Sequence, residues 1–293
     1  MTPERRRRIL ALALPIIGGM VSQNVLNLVD TAMVGTLGDA ALAAVGLGGF
    51  VTFMAMAVLL GIGAGVQATT ARRVGEGRTD RCAVPLNAGL VISLALGPLI
   101  TVLVILTVGQ WFGTLNADPL VAEHGLPYLK WRALGITFIG MNFAFRGYWN
   151  AVDRSMLYLQ TIIIVHILNI AMNYVFIFGK FGAPALGAGG AGLASALSTA
   201  AGAMVYVFLG WRYARQAGFL DGLPPRREVF TLAKLSLPTS IQQFFFASGF
   251  TVLYGIIGRI GTAELAAASV LVTLMLVAIL PGMGFGLAAT TLV

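Results

Sequence analysis

One carboxylate and a pair of carboxamides are the residues of this sequence best placed to do chemistry. Asp30 lies deep in the first long apolar run, between Leu28-Val29 and Ala32-Met33-Val34 with only Thr31 beside it. A carboxylate at bilayer depth costs ~2.5–3.5 kcal/mol on insertion scales, so something must justify it. Such a group can bind and release a proton, or bind Na⁺. Further along, His166, Asn169 and Asn173 follow at spacings of three and four. On a helix those spacings put all three side chains on one face. Amides can lend carbonyl oxygens to Na⁺ or hydrogen bonds to a protonated acid. The plainer use of the same stripe is hydrogen bonding between helices for packing. His166 and Thr199 are candidates for a polar relay. Ser195 could add a hydroxyl ligand, although its run, Ala191-Gly-Leu-Ala-Ser195-Ala-Leu-Ser198-Thr199, is mainly the small-residue composition of close helix packing. Pro15, fifteen residues before Asp30, removes a backbone hydrogen bond and permits a bend in the same helix.

Several other chemistries are excluded. The glycines at 61, 63 and 65 lack the GxGxxG spacing of a nucleotide loop and sit in apolar sequence, so they read as helix contacts. The single Cys82 rules out an internal disulfide and a CxxC site, and reads as a free thiol near a helix end. The net charge of +8 does not point to nucleic acid, because the basic residues fall in short clusters between apolar runs.

The elements that must position these residues follow from composition. Of 293 residues, 58% are hydrophobic and 10% charged, and mean hydropathy is +0.87. A soluble domain carries roughly a quarter charged residues. This chain cannot cover itself with polar groups in water, so it is an integral membrane protein. Apolar runs of about 20 residues mark spans. Eight are expected: about 9–35, 43–69, 84–112, 126–149, 156–178, 187–211, 232–257 and 264–293. Lys and Arg divide 15 to 4 between the two sides, the smaller set being Lys130, Arg132, Lys180 and Arg259. The positive-inside rule then places the N-terminus in the cytoplasm.

The sequence also repeats. A shift of 223 lays Leu12, Leu14 and Pro15 on Leu235, Leu237 and Pro238. The same shift lays Gly35, Gly38, Ala40, Leu42, Ala43 and Ala44 on Gly258, Gly261, Ala263, Leu265, Ala266 and Ala267. A two-residue adjustment brings Gly61, Gly63, Gly65, Thr69 and Thr70 onto Gly282, Gly284, Gly286, Thr290 and Thr291. The repeat begins at spans 1 and 7, both entering from the cytoplasm, so the unit is six helices in parallel orientation. The expected organisation is an N-lobe over 1–211 (spans 1–6), a cytoplasmic connecting loop over 212–231, and a partial C-lobe over 232–293 (spans 7 and 8), four helices short of a second lobe.

On these motifs the sequence resembles the multidrug and toxic compound extrusion (MATE) exporters. The resemblance covers the whole chain. It is carried by Pro15, by Val29-Asp30-Thr31-Ala-Met-Val-Gly35 with Leu42-Ala-Ala-Val-Gly46, and by Leu168-Asn169-Ile-Ala-Met-Asn173-Tyr-Val-Phe-Ile-Phe-Gly179, the last block being similar to the NorM-type branch. The resemblance implies an all-α polytopic fold of two six-helix parallel bundles around a V-shaped cavity. It implies export of organic cations in exchange for H⁺ or Na⁺, with no cofactor beyond the coupling ion and no enzymatic activity. It places the protein in the cell inner (cytoplasmic) membrane as a monomeric, multi-pass transporter with a small-molecule substrate.

The family's N-lobe cation site falls on Asp30, Asn169, Asn173, Ala191 (through its backbone) and Ser195. Asn173 stands where the DinF-type branch often has Asp, which leaves one carboxylate instead of two. Phe246 stands where NorM-type members often carry Glu, and Leu253 mirrors Asp30 in the repeat. The reading expected from all this is a cation-coupled antiporter. The rivals are a flippase for a lipid-linked precursor, which needs more intramembrane cations than Arg146 supplies, and a membrane-embedded enzyme, which needs more clustered acids and histidines.

Overall fold

The computed structural model describes residues 3–116 and 118–292, with side chains placed except at 3–13, 276–277, 280–285 and 287–292. The clusters at Arg5–Arg8 and Leu12, and most of the repeat block 282–291, therefore lie outside the described side chains. The described residues form helices joined by turns, with no strand among them. In order these are α1 (Pro3–Gly35), α2 (Asp39–Gly75), α3 (Val84–Trp111), α4 (Pro119–Ala133), α5 (Ile136–Ala151), α6 (Ser155–Phe178), α7 (Ala188–Tyr213), α8 (Arg226–Ile260) and α9 (Thr262–Leu292). Among the described residues, five segments are long and apolar enough to cross a membrane, namely α2, Thr79–Thr114 containing α3, α6, α7 and α8. The chain is a multi-pass membrane protein.

The expected spans correspond to these helices with one correction. The fourth, 126–149, is not one helix: α4 stops at Ala133 and α5 starts at Ile136. Leu134 and Gly135 bond back to Trp131 and Arg132, tightening the last turn. A Cβ on Gly135 would stand 3.1 Å from the Cα of Ala196, so the chain turns there against α7. A hydropathy window registers only that the run is apolar and passes over such a turn. The connecting loop is also shorter than 212–231, because α7 continues to Tyr213 and α8 begins at Arg226. It does not hang free. Asn87 Nδ2 donates to Gly218 O at 2.8 Å, and Asn87 Oδ1 accepts from Leu220 N at 3.1 Å. Phe219 is fully buried against Phe145, and Leu220 adopts a left-handed φ of 53°, a conformation uncommon outside glycine that the Asn87 bond helps to hold.

The repeat is visible in the packing. α1 lies against α9, and α2 against α8. Under the 223-residue shift each of these pairings becomes the other, as a two-fold relation between the copies requires. Gly46 and Ser269 are equivalent positions, and they meet: a Cβ on Gly46 would collide with the Ser269 hydroxyl. The α2–α8 seam is antiparallel. One half is built of small residues, where Gly61 and Gly65 face Ser236 and Leu232, and Ser240 Oγ donates to Val58 O at 2.7 Å. The other half is aromatic, with Phe50 stacked on Phe250 at 4.8 Å and Phe53 edge-on to Phe246 at 6.3 Å. Gly63, on the opposite face, approaches the backbone of Phe143 in α5. The glycines at 61, 63 and 65 are helix contacts on two faces of α2. Beyond the small-residue half, Arg73 at the end of α2 pairs with Glu228 at the start of α8 at 2.7 Å.

Candidate functional site

Three helices bring the polar residues together. α1 packs on α6, and α6 on α7. α1 presses Gly18 and Gly19 onto Leu159 and Tyr158, which lets the two axes approach. The buried Pro15 lies just before this contact, and from it α1 runs on to Gly35 without interruption, carrying Asp30 past α6. α7 approaches by the same means, since a Cβ on Gly190 would strike the backbone of Phe176 in α6 and one on Gly192 the carbonyl of Tyr128 in α4.

The result is a continuous polar chain. Asn173 Nδ2 donates to Asp30 Oδ1 at 2.6 Å and to Asn169 Oδ1 at 3.0 Å. Asn169 Nδ2 donates in turn to Ser198 Oγ at 3.1 Å and reaches Ser195 Oγ at 3.4 Å. Asn169 and Asn173 are buried, the latter with no exposed surface, while Asp30 is part-exposed. Four of the residues singled out from the sequence, Asp30, Asn169, Asn173 and Ser195, therefore form one hydrogen-bonded cluster. Ala191 is buried one turn before Ser195 on α7. Thr199 donates to the backbone carbonyl of Ser195. His166 stands two helical turns from Asn173 and makes a separate junction between α6 and α1, with Nδ1 2.7 Å from Ser22 Oγ and Nε2 3.2 Å from Gln23 Oε1. Gln23 Nε2 continues to Asn27 Oδ1 at 3.2 Å.

One atom of this cluster is unsatisfied. Asn173 Oδ1 is buried without a hydrogen-bond partner. A buried polar atom left in that state costs ~1–3 kcal/mol. It lies on the side chain that holds Asp30, where a proton on the acid or a bound cation would serve it. No group of three or more His, Cys, Asp or Glu side chains suited to a metal ion occurs among the described residues. The cluster has one carboxylate, Asp30, hydrogen-bonded to an amide.

The chain is similar to known proteins along most of its length. A family model described as MatE matches residues 15–175, more than half of the chain. The chain belongs to the MatE family. It is 28% identical over 276 residues to the probable multidrug resistance protein NorM of Neisseria meningitidis, covering 92% of this chain and 59% of that protein. It is 29% identical over 299 residues to the probable multidrug resistance protein NorM of Thermotoga maritima, covering 99% of this chain and 63% of that one. Among solved structures, one described as the outward-facing conformation of a multidrug resistance MATE family transporter superposes with a TM-score of 0.83 at 24% identity. It covers 97% of this chain and 63% of the other. A MATE crystal structure in complex with MaD3S superposes with a TM-score of 0.80 at 25% identity, covering 97% and 64%. The chain thus spans about three fifths of the length of the proteins it matches.

Within this MatE fold, sequence reading missed one residue. Arg132, one of the four cations on the less basic side, is half-buried, donating from its Nη1 to Ser195 Oγ at 2.9 Å, with its guanidinium carbon 5.6 Å from the centre of the Tyr128 ring. The available signal was its position six residues inside the expected fourth span, one helical turn after Tyr128. Both features suit a cation turned inward along its own helix.

Proposed function

We propose that this chain works as part of a secondary antiporter in the cell inner membrane, with its N-terminus in the cytoplasm. The cargo is an amphipathic, positively charged organic molecule exported in exchange for H⁺ or Na⁺. The observation that carries the reading is the tie between Asp30 on α1 and Asn173 on α6, backed by Asn169 and Ser195. An acid within a membrane span is costly to keep and marks ion pathways and proton relays. The family match and the drug-resistance relatives support transport over catalysis.

In this scheme the incoming ion engages Asp30 and competes for the contact it now makes with Asn173. α1 is then less firmly held to α6 and bends near Pro15, changing the cavity wall that meets the cargo. If ion and cargo each weaken the other's binding, the ion gradient drives export, because such coupling is reciprocal. The test is ethidium accumulation and drug resistance in a host deprived of its own pumps. Wild-type chain lowers accumulation, and Asp30→Asn abolishes the effect while leaving the amount of membrane-inserted protein unchanged. Full efflux by Asp30→Asn removes the acid from the mechanism.

A further inference from the structure

The oxygen atoms around Asp30 already have a cation beside them. Arg132 on α4 donates to Ser195 Oγ at 2.9 Å, and Asn169 Nδ2 approaches the same oxygen at 3.4 Å, so N–H donors face both of its lone pairs. Asn169 Oδ1 has one of its two lone pairs engaged by Asn173. Of the candidate side-chain ligands, the carboxylate of Asp30 and the orphaned Asn173 Oδ1 are the most open to an ion. The guanidinium carbon lies 5.6 Å from the centre of the Tyr128 ring, and its Nε is buried without a partner. α4 is held at this distance by the close approach of Gly192 to the Tyr128 carbonyl and of Gly189 to Pro127. Arg132 is also the charged group whose field reaches Asp30.

We propose that Arg132 is the resident cation of this cluster and that it excludes sodium, and alkali-metal ions generally, from the Asp30 site. The inference rests on reading Asp30 as the ion-coupling residue. A sodium ion stripped of water needs several oxygen ligands at once. Here the hydroxyl is turned to the guanidinium, one amide oxygen is half engaged by its neighbour, and the guanidinium's positive charge repels a second one. Arginine suits this role because its charge is permanent and its planar fork can bond a hydroxyl while resting on an aromatic face. Arg132 is thus a specificity-determining residue, acting through Ser195 and the local field.

The test is ²²Na⁺ binding to the detergent-purified full chain by equilibrium dialysis, with monodispersity and helix content checked for each variant. Wild-type protein should show no saturable sodium binding. Arg132→Gln should gain it, by at least roughly tenfold in affinity, the factor that 1.4 kcal/mol of relieved repulsion gives. The gain should disappear in Asp30→Asn/Arg132→Gln, and Arg132→Lys, which keeps the charge, should resemble wild type. Sodium bound by wild-type protein and lost in Asp30→Asn would overturn the exclusion while leaving Asp30 as the coupling residue. A well-folded Arg132→Gln that gains no sodium would overturn the role of Arg132. A gain that persists without Asp30 would show that sodium sits elsewhere, and would count against both readings. If Arg132→Gln does not fold, the wild-type and Arg132→Lys measurements still decide, because sodium bound by either refutes the proposal.

Discussion

Adding one methyl group at three glycines of α2 tests what holds the two repeats together. An alanine Cβ at Gly61 would collide with the carbonyl oxygen of Ser236 and stand 3.0 Å from its carbon. Ordinary contact begins at 3.4 Å, and the nearest obstacle is the carbonyl oxygen of helix backbone, so α8 has to retreat by about 1 Å along the seam. Overpacking of this kind costs ~1–3 kcal/mol. At Gly65 the added methyl meets the Ser236 hydroxyl and the end of Leu232 at 3.1 Å, both of which can rotate away, so the loss should stay below about 1 kcal/mol. At Gly49 nothing lies within 4 Å. All three substitutions gain the same helix propensity of ~1 kcal/mol, so their differences report the seam alone. Thermal unfolding of the purified variants, followed by size-exclusion chromatography after heating, should rank Gly49→Ala above Gly65→Ala above Gly61→Ala. A gap of about 1–3 kcal/mol is expected between the first and last. Equal stability of Gly61→Ala and Gly49→Ala would refute the claim that α2 and α8 meet backbone to backbone.

The Arg73–Glu228 pair joins α2 to α8 with side chains only 13% and 18% exposed, and Arg73 also donates to Arg81 O at 2.7 Å. A double-mutant cycle with Arg73→Met and Glu228→Gln should give a coupling of about 1–3 kcal/mol, above the level of surface pairs; a flat cycle would show the bridge to be idle. Asn87→Ala removes both bonds to the connector and should cost ~1–3 kcal/mol. Trypsin should then cut faster at Arg215, Arg226 or Arg227, and an unchanged cleavage rate would count against the clamp.

Much of the site was legible because it depends on helical spacing. Asn169 and Asn173 are four apart, so any helix stacks them, and an acid in the neighbouring apolar run had few other partners to find. The repeat was legible for a related reason: Pro15, Gly35 and their counterparts mark backbone features that survive divergence of the surrounding side chains. Arg132 was not legible as a site residue, because counting charges by side treats every cation near a span end as facing water. Only the turn at Leu134–Gly135 and the approach of α7 show that it faces Ser195. His166 shares a face with Asn169, yet its partners are Ser22 and Gln23, because the stripe extends along α1 over two turns and meets different residues at each level. The clamp on the connector depends on Asn87, more than a hundred residues away, and no local pattern reveals such a bond.

The fastening of the connector at Asn87 sets a limit on travel. Between Leu220, held by that side chain, and Arg226, where α8 begins, only residues 221–225 are left to pay out. Even drawn taut, a stretch of that size reaches about 20 Å. However far α8 moves, its N-terminal end stays on this short leash to the foot of α3.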